Sequence, residues 1–111
     1  MFSDPVIIYP ELATVFGLYE AMFIYELDRA AKGVGNVIYK GEEWINRNKY
    51  QWLERLPYFS ETRLWGVIRN LCAQGVVIRD RCDSYSYPYN RIYRIDYGQM
   101  EKIILEHGYR W

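Results

Sequence analysis

The clearest hydrophobic periodicity in the chain runs from Leu64 through Val67 and Ile68 to Leu71, the i, i+3, i+4, i+7 spacing of a helix with one apolar face. Ser60 stands ahead of it as an N-cap and Gly75 ends it. A shorter helix is predicted just before. Asn48 and Gln51 make a capping pair, Tyr50, Trp52, Leu53 and Leu56 supply the apolar positions, and Pro57 stops it.

Upstream, Pro10 suits the first position of a short helix that runs to Phe16 and is closed by Gly17. From Leu18 to Lys32 the apolar residues Leu18, Ala21, Met22, Phe23, Ile24, Tyr25, Leu27, Ala30 and Ala31 lie on nearly every face of a helix, which Gly33 ends. Such a helix is buried on more than one side, either inside the fold or against a second copy of the chain, so a homodimer is a candidate assembly. Gly35 to Arg47, with Val37, Ile38, Tyr39, Trp44 and Ile45 around Gly41, reads as a short strand or ribbon.

Downstream, Val76-Val77-Ile78 is a short β-branched strand that runs into a polar loop, Arg79 to Asn90. A second strand follows over Arg91 to Tyr97, in which Ile92, Arg94 and Asp96 alternate with Arg91, Tyr93, Ile95 and Tyr97. The two strands make a hairpin with a long loop. Gly98 to His107 closes the chain as an amphipathic helix through Met100, Ile103, Ile104 and Leu105. The expected fold is α+β, one domain over residues 1–111: a helical core, a C-terminal β-hairpin and a short terminal helix.

Composition narrows the function. The 18% aromatic content, carried mostly by twelve tyrosines, predicts a surface of rings that are apolar on their faces and polar at the tip. Net charge is zero but unevenly spread: four bases face seven acids over Met1 to Asn48, whereas eight bases, seven of them arginine, face four acids over Lys49 to Arg94. Arginine's planar fork suits phosphates and guanine edges.

Catalysis has no visible machinery. Glu42 and Glu43 are adjacent in the ribbon, so their side chains point opposite ways, and Gly33-x-Gly35 lacks the surroundings of a phosphate loop. The two cysteines, Cys72 and Cys82, and the single histidine, His107, give neither a zinc site nor a disulfide framework. Cys72 reads as a small buried hydrophobe, Cys82 as a free thiol, and His107 as a partner of its helix's dipole. The chain is therefore expected not to be an enzyme and to need no cofactor or metal. The most apolar segment, Leu18 to Leu27, is interrupted by Glu20 and Glu26, so a cytoplasmic protein with no membrane partner is expected.

The order short helix, turn, longer helix, hairpin is that of a winged helix. WINRNKYQWLERLPYFSETRLWGVIRNLCAQGVVIRD followed by NRIYRIDYGQME resembles the winged-helix domains of phage and mobile-element replication and regulatory proteins. The upstream FGLYEAMFIYEL looks like their first helix, and the resemblance covers about Val15 to Glu101. It implies a winged helix-turn-helix that binds duplex DNA in replication initiation or transcriptional control. Tyr50 to Leu56 would be the supporting helix and Ser60 to Gln74 the recognition helix.

On that reading Thr62, Arg63, Arg69 and Asn70 read bases or hold phosphates, and Arg79, Arg81 and Arg91 on the hairpin hold the backbone or enter the minor groove. Trp44 and Trp52 fill the core beneath the recognition helix. At Trp65 and Gly66 these relatives often carry Lys or Arg. A solvent-side Trp65 beside the wing tyrosines Tyr85, Tyr87 and Tyr89 points to an alternative, a winged helix that grips a host or phage protein, as a viral inhibitor would.

Overall fold

Local signals set the helix boundaries. The computed structural model describes residues 9–33, 36–82, 85 and 90–109. Helix α1 (Pro10–Phe16) has Pro10 in its first turn, and Gly17 separates it from α2 (Leu18–Ala31). Gly17 has φ +110°, a backbone conformation that side-chain-bearing residues rarely adopt, so glycine suits the break between the two helices. Helix α3 (Lys49–Arg55) carries a complete capping box: Gln51 N donates to Asn48 Oδ1 at 3.0 Å and Asn48 N to Gln51 Oε1 at 2.9 Å. Ser60 caps α4 (Glu61–Ala73) by accepting from Arg63 N at 3.1 Å.

The ribbon before α3 is a hairpin, β1 (Val37–Tyr39) and β2 (Glu42–Asn46). Lys40 (φ 51°) and Gly41 (φ 80°) both take left-handed backbone in its two-residue turn, which matches the twist of paired strands. After α4 come β3 (Val77–Arg81), β4 (Arg91–Ile95) and α5 (Tyr97–Glu106). The second strand was expected to reach Tyr97. It stops at Ile95 because Asp96 caps α5 through Gln99 N at 3.0 Å. The first strand begins one residue late, at Val77, and extends through Arg79, Asp80 and Arg81, which the sequence placed in the loop.

The four strands form one antiparallel sheet in the order β1-β2-β4-β3. Its registers pair Ile45 with Tyr93 and Val77 with Ile95, so these four share the face that packs on the helices. There Ala21, Met22, Phe23, Ile24 and Leu27 of α2 meet Leu64, Val67, Ile68 and Leu71 of α4 and Trp52 of α3. Phe23 and Ile24, whose burial the sequence left open between the fold and a subunit contact, lie in this core. Trp52 is the hub: its ring is 4.7 Å from Phe23 and 5.4 Å, edge-on, from Tyr93.

The opposite face of the sheet holds a second apolar cluster, Trp44, Cys82 and Ile92, with Val37, Tyr39 and Ile78 against it. Trp52 lies beneath α4 as expected, but Trp44 does not. The β2 register turns Trp44 away from the helices, its indole N–H donates to Tyr39 O at 2.9 Å, and Arg94 stacks on its ring. Ile92 and Tyr93 are thus both buried, one on each face.

Among the polar groups, Glu26 of α2 is 5% exposed and gathers three guanidiniums. Arg29 and Arg55 reach Oε1 at 3.0 and 3.2 Å, and Arg47, stacked on Trp52, stands 3.6 Å from Oε2. This cluster ties α2 to α3 and to the end of β2.

Candidate nucleic-acid interface

Ser60 sets the start of α4, and its apolar stripe sets which side faces the core. The remaining positions divide into three. Thr62, Gly66, Arg69 and Ala73 are exposed and point away from the core. Arg63, Asn70 and Gln74 lie on the side toward the start of α2. The Arg63 guanidinium stacks 4.1 Å from the centre of the Tyr19 ring. Asn70 Nδ2 donates to Glu20 Oε2 at 3.1 Å, and Asn70 Oδ1 accepts from Gln74 Nε2 at 3.2 Å. Of the four candidates on α4, then, Arg63 and Asn70 are engaged with the protein itself.

The third side carries Glu61, Trp65 and Cys72. Trp65 is half-buried and packs on the core. Lys49, 2.9 Å away, holds the Glu61 carboxyl below its ordinary range through its hydrogen bond and charge. Burial raises the Cys72 thiol, and the charge of Arg79 partly offsets it.

On the hairpin, the register pairs Arg79 with Tyr93 and Arg81 with Arg91. All three arginines therefore extend the helix-bearing face of the sheet outward from the core. Burial pushes the Tyr93 phenol up, and the charges of Arg79 and Arg91 partly offset this. Arg94, one residue on from Tyr93, lies on the other face.

Charge pairing divides the cations into two groups. Arg29, Arg47 and Arg55 are paired with Glu26, Lys32 with Asp28, Lys40 with Asp80 and Lys49 with Glu61. Among the described residues, no carboxylate stands within 4.0 Å of Arg63, Arg69, Arg79, Arg81, Arg91, Arg94 or Lys102, and of these Arg63 is stacked on Tyr19 and Arg94 on Trp44. Thr62 and Arg69 on α4 and the three hairpin arginines are thus the candidate residues that remain available to a partner.

The aromatic candidates are not brought together in this way. Tyr85 is exposed, Trp65 is half-buried, and Tyr87 and Tyr89 lie outside the described residues. Tyr50, expected among the apolar positions of its helix, instead faces outward, and it and Tyr58 are the most exposed large rings among the described residues, each at 69%. Also unread from the sequence were the Glu26 cluster, signalled locally only by Arg29 at i+3, and the roles of Tyr19 and Glu20 as partners of α4.

A cleft of about 720 Å³ between α1, α2 and α5 is lined by Tyr9, Tyr25, Tyr97, Leu12, Ile24 and Met100, with Asp28 at its polar end. Tyr97 OH donates to Asp28, which also holds Lys32 at 2.9 Å. Among the described residues, no three His, Cys, Asp or Glu side chains are placed to hold a metal, and no helix is long and apolar enough to cross a membrane. No protein-family model, no curated protein and no solved structure matches the chain.

Proposed function

We propose that the chain is a winged helix-turn-helix protein that binds duplex DNA, with α3 as supporting helix, α4 as recognition helix and β3–β4 as the wing. The reading is supported by the α3–turn–α4–hairpin order and by the antiparallel arrangement of β2, β4 and β3 against the helices. The observation that carries it is the arrangement of four arginines that have no carboxylate in ion-pair range among the described residues. Among the described residues, Arg69 on α4 and Arg79, Arg81 and Arg91 on one face of the hairpin have no carboxylate in ion-pair range, while Arg29, Lys49 and Arg55 on the helices are each paired with one. Placed on a duplex, α4 would offer Thr62 and Arg69 to the major groove and the hairpin arginines would meet phosphates.

The function that fits is a small, non-enzymatic, phage-like protein of replication initiation or transcriptional control, working in a cytoplasm. The test is a titration with a mixed-sequence duplex at several salt concentrations. With about four phosphates neutralised, log affinity falls against log salt with a slope near −4. No binding at low salt, where attraction to phosphate is strongest, rejects the reading.

A second reading, a winged helix that grips a host or phage protein, is favoured by the exposed rings of Tyr50 and Tyr58 on and after α3. It predicts capture that Tyr50→Ala and Tyr58→Ala abolish and that salt barely affects.

A further inference from the structure

Helices that specify a DNA sequence do so through several long polar side chains free to reach base edges, since phosphate contacts position a protein without reading it. Few such side chains are left on α4. The Asn70 amide, the group that would pair with adenine, has its donor on Glu20 and its acceptor on Gln74. The Arg63 guanidinium lies on the Tyr19 ring. On the outward stripe, Gly66 and Ala73 have no reach, and the space around Gly66 is open, with nothing within 4 Å of where a Cβ would stand. Arg69 is the one long side chain on that stripe, with Thr62 as a short companion.

The hairpin is built the other way. Arg79, Arg81 and Arg91 share one face, and Arg81 and Arg91 are direct cross-strand partners. Like charges directly opposite one another repel, and an anion seated between them removes the repulsion. A phosphate supplies the charge and several acceptor oxygens at once, and it does so at every step of a duplex.

Resting on the duplex-binding reading, we infer that this protein grips the DNA backbone through Arg79, Arg81 and Arg91 and is largely indifferent to base sequence, with Arg69 as its single base-reading side chain. One arginine–guanine pair discriminates by about ten- to a hundred-fold, whereas dedicated sequence-specific proteins separate their sites from other DNA by roughly a thousand-fold or more. The duplex is therefore recognised by shape and charge.

The test is a selection from a random-sequence duplex library with the full chain, followed by anisotropy titrations of the best selected duplex and of a scrambled one. The expected ratio of affinities is at most about a hundred-fold, and Arg69→Ala brings it close to one. Arg81→Gln and Arg91→Gln weaken both duplexes by the same factor and each lower the salt slope by about one. A selected duplex bound a thousand-fold tighter than its scramble overturns the inference and leaves the duplex reading standing. So does an Arg91→Gln variant that binds as the unmodified chain does. Failure to bind any duplex at low salt overturns both.

Discussion

Arg81 and Arg91 stand opposite one another across β3 and β4, two guanidiniums on the same face of the sheet with no described carboxylate in ion-pair range of either. Like charges in directly opposed positions of an antiparallel pair destabilise it. Arg81→Glu replaces that repulsion with an attraction, so the variant is expected to be more stable by about 0.2 to 1 kcal/mol while binding duplex DNA more weakly. Denaturant midpoints and anisotropy titrations on the same preparation check both signs; lower stability with unchanged binding refutes the assignment.

Leu71 is fully buried between α2, α4 and the sheet. Leu71→Ala is expected to cost roughly 2 to 5 kcal/mol, because the surrounding rings and branched side chains cannot collapse into the space left behind. Urea unfolding measures this. A loss under about 1 kcal/mol would mean that the α4 stripe is not packed as described.

Glu26 neutralises three guanidiniums inside the fold. Glu26→Gln keeps the shape and removes the charge, leaving Arg29, Arg47 and Arg55 facing one another, and a loss of about 3 kcal/mol is expected. Arg29→Gln, at a position whose side chain is 46% exposed, is expected to cost under about 1 kcal/mol. Equal losses from the two variants would show that Glu26 is not the centre of the cluster.

The alkaline limit of stability follows from two tyrosines. Burial, and then the hydrogen bond to Asp28 and its negative charge, push the Tyr97 phenol above its ordinary value, and burial does the same for Tyr93. Because the folded-state values lie above the unfolded ones, the stabilisation is fully present below about pH 10 and is lost as pH rises beyond it. Tyr97→Phe is expected to make the fall above pH 10 shallower, as read from melting temperatures between pH 8 and 11. An unchanged profile would remove Tyr97 from this role.

Gly17 holds φ +110° between α1 and α2. Gly17→Ala is expected to cost about 1 to 3 kcal/mol, from backbone strain and from the displacement of Glu20. Since Glu20 also accepts from Asn70, the same variant loosens the contact that holds Asn70 to α2. Loss of protection at the Asn70 side-chain amide in hydrogen exchange would reveal it.

Sequence pattern alone determined where the helices lie, because their determinants act over three or four residues. Asn48 with Gln51, Ser60 with the backbone of Arg63, Pro10, Gly17 and the Leu64–Leu71 stripe all report on their own neighbourhood, and the structure places α1 to α4 within a residue or two of those signals. The basic composition of the segment after Lys49 was legible for the same reason. What only the tertiary structure decided was which of those bases are free. Asn70 is used by Glu20, fifty residues earlier, and Glu26 takes Arg55, twenty-nine residues later. Strand register put Arg79, Arg81 and Arg91 on one face and turned Trp44 to the other, although Arg79 to Arg81 look like loop and Trp44 looks like helix-side core. Pairings of this kind depend on how distant segments meet and in what register, and a shift of one residue would exchange the two faces of a strand.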